Sequence, residues 1–153
     1  MSEQNTFNWQ WCRLQELSAS QLYALFAARE SVFVVEQHCA YQELDGRDFE
    51  ASHLIAWSGT EIAAYLRVLA PGAKFKQPSI GRVMTAKAFR GRGLGRELMV
   101  RALKHIDEVY LDSVRISAQT HLEKFYRSFS FEPVSESYME DGIPHIEMVR
   151  KKR

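Results

Sequence analysis

Two cysteines, Cys12 and Cys39, are all that the 153 residues contain, and neither belongs to a CxxC pair. That scarcity excludes a disulfide-stapled scaffold and a thiolate zinc site, and it suits a reducing cytoplasm. Nothing in the spacing asks for a Cys12–Cys39 bridge. Proline is also scarce, at 4 residues, and no linker, repeat or low-complexity tract divides the chain, so a single domain over residues 1–153 is expected. No apolar run reaches the length of a membrane span. The opening MSEQNTFNWQW lacks the charged and apolar regions of a secretory signal. Charge of one sign is missing too: 20 Lys and Arg against 19 Asp and Glu leave +1. That balance gives no global field for nucleic acid or an anionic membrane, and neither is expected as a partner. The one basic run, Arg150-Lys151-Lys152-Arg153, reads as a frayed, solvated tail.

What is present is a core-forming pattern, with 46% apolar residues. Phe7 to Leu14 alternates aromatics and Cys12 with polar residues, as a strand does. Trp9 and Trp11 on it suit either a core or a homodimer interface. Ser18 is a helix N-cap for Ser20 to Arg29, whose inward stripe is Leu22, Leu25 and Phe26. Glu30 to Glu36 admits helix or strand, since Val and Phe favour strand locally. His38 to Phe49 is polar, contains Asp45-Gly46 and reads as an acid-rich loop. His53 to Trp57 and Glu61 to Leu69 form a hairpin through Ser58-Gly59-Thr60. Pro71 to Pro78 is a loop able to cap that hairpin or move over a site. Ser113 to Ala118 is a strand and Leu122 to Phe129 a helix. Phe131 to Ser137 and Ile143 to Val149 are the last strands, parted by the turn Glu140-Asp141-Gly142.

The chemistry concentrates in Ile80 to Ile106. Ile80 to Ala86 is a short apolar strand. Leu94, Leu98, Met99, Ala102, Leu103 and Ile106 have the three-four spacing of an amphipathic helix. Between them lies Arg90-Gly91-Arg92-Gly93-Leu94-Gly95, with Lys87 before it, Arg96 after it and no acid from Lys87 to Arg96. Glycines let a backbone approach a ligand, and a helix start presents N–H groups and positive dipole. The combination is an anion cradle suited to a pyrophosphate. It is neither a P-loop, since GxxxxGK[ST] is absent, nor a dinucleotide fingerprint, whose third glycine falls at Arg96.

The hexapeptide matches Arg/Gln-x-x-Gly-x-Gly/Ala at Arg90, Gly93 and Gly95, and in this strand–loop–helix setting it resembles the acetyl-CoA loop of GNAT N-acetyltransferases. A second signature, Phe125-Tyr126-Arg127-Ser128-Phe129-Ser130-Phe131, resembles the family's F-Y-x-x-x-G-F helix end, with Ser130 where glycine is usual. VFVVEQ (Val32 to Gln37), YQELDGRD (Tyr41 to Asp48) and EDGIPHIEM (Glu140 to Met148) are similar to the ElaA-type branch. The resemblance makes Glu30 to Glu36 helical. It implies an α/β (α+β mixed sheet) acyl-CoA N-acyltransferase fold in the order β-α-α-β-β-β-α-β-α-β-β.

The implied activity is acetyl transfer from acetyl-CoA to a primary amine, by direct attack in a ternary complex. On that resemblance Val83, Met84 and Thr85 lie along the pantetheine, where backbone N–H groups of a bulged strand polarise the thioester. Arg90, Gly91, Arg92, Gly93, Leu94, Gly95 and Arg96 hold the pyrophosphate. Tyr126 takes the family's general-acid position beside the CoA sulfur, although helical spacing alone makes it one more aromatic of a Phe-rich helix end. The base that accepts the amine's proton is open among Glu36, Glu43, Asp45, and Asp141 with His145. Glu36, at the end of an apolar segment, is favoured, against a plain ion pair with an arginine such as Arg29. Glu43, Asp45, His53, Asp141 and His145 are candidate substrate contacts. The two histidines read as strand-edge groups titrating near neutrality, structural more readily than catalytic. His38-Cys39 is poor zinc spacing, and no metal is expected. The alternative to an enzyme is a non-catalytic acyl-CoA sensor of the same fold.

Overall fold

The computed structural model describes residues 6–152. Residues 1–5, the first part of the stretch read against a secretory signal, and Arg153, the end of the basic run, lie outside the described residues. The chain forms two compact units: one up to Arg67 and from Arg82 to Leu98, the other from Val68 to Gly81 and from Met99 onward.

In the first unit β1 (Asn8–Cys12) pairs antiparallel with β2 (Ser52–Ser58), setting Trp9 opposite Ala56 and Trp11 opposite Leu54. β3 (Glu61–Leu69) and β4 (Ser79–Thr85) complete a sheet ordered β1-β2-β3-β4. Leu54 to Trp57 and Ile62 to Leu66 are buried at every successive position. Side chains alternate between faces, so both faces of these strands are covered. α1 (Ala19–Glu30) starts where Ser18 predicts. The Ser18 hydroxyl accepts the Gln21 N–H while the Gln21 side chain accepts the Ser18 N–H, a reciprocal capping box. Leu25 from this helix joins Cys12, Leu14, Leu17, Val32, Ile55, Trp57, Ile62, Tyr65 and Met84 in one apolar cluster. Leu22 and Phe26 lean against it. Ser31–Glu36 continues as a wide π turn, helical as the resemblance implied but with looser hydrogen bonding than an α-helix.

α2 (Leu94–Val109) buries Leu94, Leu98, Met99, Ala102, Leu103 and Ile106, the stripe its spacing predicted. In the second unit β5 (Val114–Gln119) pairs antiparallel with β8 (Ile143–Arg150). The far edge of β8 takes β6 (Glu132–Pro133) near its end and β7 (Tyr138–Glu140) near its start. The single strand expected from Phe131 to Ser137 is therefore cut short. Pro133 has no N–H to donate, and the Ser135 hydroxyl takes the Glu147 N–H at 2.9 Å. The Val134 N–H still reaches Glu147 O at 2.9 Å, and the next strand on this edge begins at Tyr138. The β7–β8 hairpin turns through Asp141 and Gly142, both left-handed, as a two-residue type I′ turn requires.

α3 (Glu123–Arg127) is short and leads into an aromatic cluster in which Phe125 packs edge-on against Tyr126 and Phe129, and Tyr126 against Phe131. Ser130 closes it with φ of 72°, the left-handed geometry that the usual glycine adopts without strain. Ser130→Gly should therefore raise stability by about 1 kcal/mol, read as a higher urea midpoint at unchanged slope. The tail expectation fails at Arg150. Its guanidinium is buried and meets both Asp107 carboxylate oxygens at 3.0 and 3.1 Å, ending β8 as a structural residue. Among the described residues no helix is long and apolar enough to cross a membrane.

Candidate active site

β4 is not a regular strand. Arg82 has φ of 53°, a left-handed step in mid-strand that re-aims the backbone of Val83, Met84 and Thr85. The Ala86 N–H then donates to Ala63 O at 2.9 Å, and a 3-10 turn over Lys87–Phe89 delivers the chain to Arg90. Gly91 and Gly93 have φ of 82° and 76°, and a Cβ at either would meet no atom within 4 Å. These glycines are thus required by backbone conformation and not by crowding. The Gly93 carbonyl accepts from the Glu97 N–H at 3.2 Å, so the helix begins at its first turn beside the loop. Arg90 donates from Nε to Thr85 O at 3.0 Å and pairs with Glu36 at 2.8 Å. The Arg92 guanidinium sits over the Phe89 ring at 5.5 Å. Lys87, Arg90, Arg92 and Arg96 are exposed.

Glu36 is thus held by an arginine, as the ion-pair alternative held, but the partner is Arg90 and not Arg29. The acid-rich loop meets three other arginines. Glu43 takes Arg29 at 2.7 Å and Arg82 at 2.8 Å. Asp45 takes Arg67 at 2.5 Å and Arg82 at 3.5 Å. Asp48 takes Arg29 at 2.8 Å and Arg67 at 3.0 Å. Three guanidinium groups face three carboxylates, and Arg29, Arg67 and Asp48 are buried. Burial alone would raise the pKa of Asp45 and Asp48, but the arginine hydrogen bonds and charges outweigh it and hold both well below the usual carboxylate range. Arg67 Nε is left without a partner. Glu43 and Asp45 are therefore engaged internally, pinning the loop.

His53 corrects the strand-edge reading. It lies inside the sheet with no exposed surface. Its Nε2 faces the Asp48 carbonyl at 2.9 Å and its Nδ1 the Tyr65 hydroxyl at 2.5 Å. A carbonyl only accepts, so Nε2 carries the proton and Nδ1 receives the Tyr65 O–H. Burial, reinforced by the Arg29 and Arg67 charges, lowers its pKa and keeps it neutral. It is a buried tie between strands and loop, out of reach of a substrate.

The second unit holds Tyr126, Asp141 and His145. Tyr126 is buried, and burial pushes its pKa up to about 12. Asp141 stands exposed at the hairpin turn. His145, on β8, is buried, with Nδ1 on Ile143 O at 2.7 Å and Nε2 at 3.3 Å from Glu140 Oε2. Glu140 also accepts from Ser117 Oγ at 3.3 Å, and Ser117 meets the Tyr138 hydroxyl in a short contact. Sequence reasoning missed Ser117, Tyr138 and Glu140. The alternation of Ser117 with buried Ile116 and Ala118, together with the hairpin at Asp141-Gly142, was the available signal. It also missed Arg82, because nothing in a strand pattern announces a left-handed arginine.

A strand with a left-handed step, a doubly glycine-bent basic loop and an amphipathic helix starting at its end define an acyl-CoA N-acyltransferase fold. The sequence profile of the acetyltransferase (GNAT) domain matches residues 14–152, and the chain belongs to that family, in its ElaA-like branch. Protein ElaA of Escherichia coli is 45% identical over 146 residues, 94% of this chain and 95% of that protein. The crystal structure of Escherichia coli ElaA superposes with a TM-score of 0.88 at 44% identity, covering 95% of this chain and 100% of that one. An acyl-CoA N-acyltransferase from Pseudomonas aeruginosa gives 0.89 at 45% identity, over 95% and 99% of the two chains. The protein is thus an acyltransferase of mixed α/β fold.

Proposed function

We propose that the protein transfers an acetyl group from acetyl-CoA to a primary amine of a small molecule or peptide, by direct attack in a ternary complex. The reading rests above all on the loop from Arg90 to Arg96, where left-handed Gly91 and Gly93 lead four cations into a helix start. On this reading Lys87, Arg90, Arg92 and Arg96 hold the phosphates of the substrate, and Glu36 positions Arg90. Val83, Met84 and Thr85, following the left-handed Arg82, supply backbone N–H groups to the thioester carbonyl. Tyr126 hands its proton to the leaving thiolate. Direct attack is supported by Cys12, whose buried thiol has its pKa pushed up to about 11 and is a poor nucleophile. A profile running from residue 14 to 152 supports one acyltransferase domain, and two cysteines that both carry thiols suit the cytoplasm.

The test is thermal denaturation with and without acetyl-CoA, on the wild type and on an Arg90→Glu/Arg92→Glu variant. Ligand at a hundredfold excess over its dissociation constant should stabilise the wild type by about 2.7 kcal/mol and leave the variant unmoved. A wild type unmoved by millimolar acetyl-CoA would overturn the reading.

A further inference from the structure

Among the described residues five positions other than glycine take a left-handed backbone. Four of them, His38, Leu111, Ser130 and Asp141, lie just after a helical segment or in a turn. The fifth is Arg82, with φ of 53° inside β4. A left-handed residue that carries a Cβ is disfavoured against the extended form, and it persists where its surroundings over-determine it. The contacts that do so at Arg82 are made by its side chain.

Arg82 Nε meets the two Glu43 carboxylate oxygens at 2.8 and 2.9 Å. Its Nη2 donates to the Glu43 carbonyl at 3.1 Å and stands 3.5 Å from Asp45 Oδ2. The guanidinium lies over the Phe33 ring, 6.0 Å from its centre. A planar guanidinium engaged at both Nε and Nη2 is fixed in orientation as well as in place. Glu43 is itself held from the other side. Its Oε2 accepts from Arg29 Nε at 2.7 Å and its carbonyl from Arg29 Nη2 at 3.5 Å, and Arg29, on α1, has no exposed surface. One carboxylate thus joins a buried helix residue to the irregular residue of β4. Two positions after Arg82, Met84 is buried in the cluster that holds Leu25 and Tyr65. The left-handed step therefore sits between a side chain tied by Glu43 and a side chain packed in the core.

We propose that Glu43 is a positioning residue of the acyl site: by tying down the Arg82 side chain it keeps Arg82 left-handed, and so aims the N–H groups of Val83, Met84 and Thr85 at the thioester carbonyl. The proposal rests on the acyltransferase reading above. Glu43 touches neither the substrate nor the reacting atoms and acts through Arg82. The same contacts explain why an arginine serves where glycine would fit. Glycine takes φ of 53° without strain, but it leaves that conformation as freely as it enters it. A tethered arginine stays in one, which is what donors aimed at a developing negative charge need.

The experiment uses the full-length protein and acetyl-CoA carrying a carbon isotope label at the acetyl carbonyl. The proteins are wild type, Arg82→Ala, Arg82→Gly, Glu43→Gln and the Glu43→Gln/Arg82→Gly double variant. Isotope-edited infrared spectra read the stretch of the bound thioester carbonyl, which falls in frequency as N–H donors polarise it and needs no acceptor amine. Thermal denaturation with and without acetyl-CoA reads donor binding. Arg82 is the half-exposed member of its group, so its removal strips no buried cation of an acid and the fold survives. The wild-type stretch should lie below that of free acetyl-CoA, and Arg82→Ala should return most of the way to the free value. Arg82→Gly should keep more of the shift than Arg82→Ala, the reverse of their order in a regular strand, where glycine is the weaker residue. Glu43→Gln leaves one acceptor oxygen for two arginines. It should lose part of the shift alone and change nothing further when added to Arg82→Gly, as a residue acting through Arg82 must. An unshifted wild-type carbonyl, an Arg82→Ala carbonyl equal to wild type, or a glycine variant no better than alanine overturns the proposal. So does a Glu43→Gln effect equally large in both backgrounds. Acetyl-CoA should stabilise all five proteins, and a wild type that it leaves unmoved overturns the acyltransferase reading and the proposal with it.

Discussion

Replacing Asp48 by alanine should cost the fold about 3–5 kcal/mol, the penalty for removing one member of a buried ion-pair group. Asp48 is 4% exposed, and its carboxylate carries both Arg29, which has no exposed surface, and Arg67, at 3%. After its removal Arg29 keeps Glu43 and Arg67 keeps Asp45, but two buried cations share two acids that Arg82 also draws on. The guanidinium groups cannot shed their charge to escape, since arginine stays protonated throughout the accessible range. Arg67 already buries an unpartnered Nε, and losing the Asp48 acceptor removes half of the acids that its guanidinium meets. Urea denaturation measures the loss. A double-mutant cycle with Arg29→Ala isolates the pair, because removing both should cost less than the sum of the single losses. A loss under about 1 kcal/mol for Asp48→Ala would mean that water reaches the group and screens it.

The same group sets the response to acid. Asp45 and Asp48 both have folded-state pKa values below that of an unfolded aspartate, about 3.9. Their contribution is therefore fully present above about pH 4 and is lost as pH falls through the lower folded values. Denaturant midpoints should be flat in this respect near neutrality and drop steeply in the acid range. The slope should be shallower in Asp48→Ala, which has already lost that proton-linked contribution. His53 acts with the opposite partner: its pKa is lowered by burial, so an unfolded chain binds the proton more readily. Its effect is present above the unfolded histidine value, about 6.5, and erodes below it, adding a gentler loss before the carboxylates titrate.

Local signals carried much of the fold. The apolar run into Arg90-Gly91-Arg92-Gly93, followed by three-four spacing from Leu94, specified strand, loop and helix, because each is dictated by residues adjacent in sequence. Ser18 and Gln21 announced a helix start for the same reason, and a non-glycine left-handed residue at Ser130 followed from the pattern around it. The arginine–carboxylate group was illegible. Arg29 and Glu43 are 14 positions apart and Arg82 and Glu43 are 39, and nothing local distinguishes a buried arginine from a surface one. Reading Glu43 and Asp45 as available acids and His53 as an edge residue both came from that gap. β7 was missed because three residues are too few for periodicity. The pairing of Glu140 with His145 depends on a hairpin register that only the folded strands reveal.

Tyr126→Phe should leave stability nearly unchanged while lowering kcat by about 10²-fold, the low end of what a general acid supplies. The ring contacts to Phe125 and Phe131 survive the substitution, and only the hydroxyl is removed. With its pKa pushed up to about 12 by burial, Tyr126 holds its proton through neutral and mildly alkaline pH. It would thus give no falling limb of its own to the alkaline side of the rate profile. The effect stays at the low end because a free thiol ionises near about 8.5, so the thiolate leaves tolerably without help. The consequence is a specific pH signature: the Tyr126→Phe deficit should narrow toward alkaline pH, where an unprotonated thiolate is a stable product. On the proposed assignment of acetyl-CoA to the loop from Arg90 to Arg96, donor binding should not change, so KM for the donor stays while kcat falls. If kcat holds and stability drops instead, Tyr126 is a packing residue of the aromatic cluster, and the leaving thiolate must take its proton from solvent.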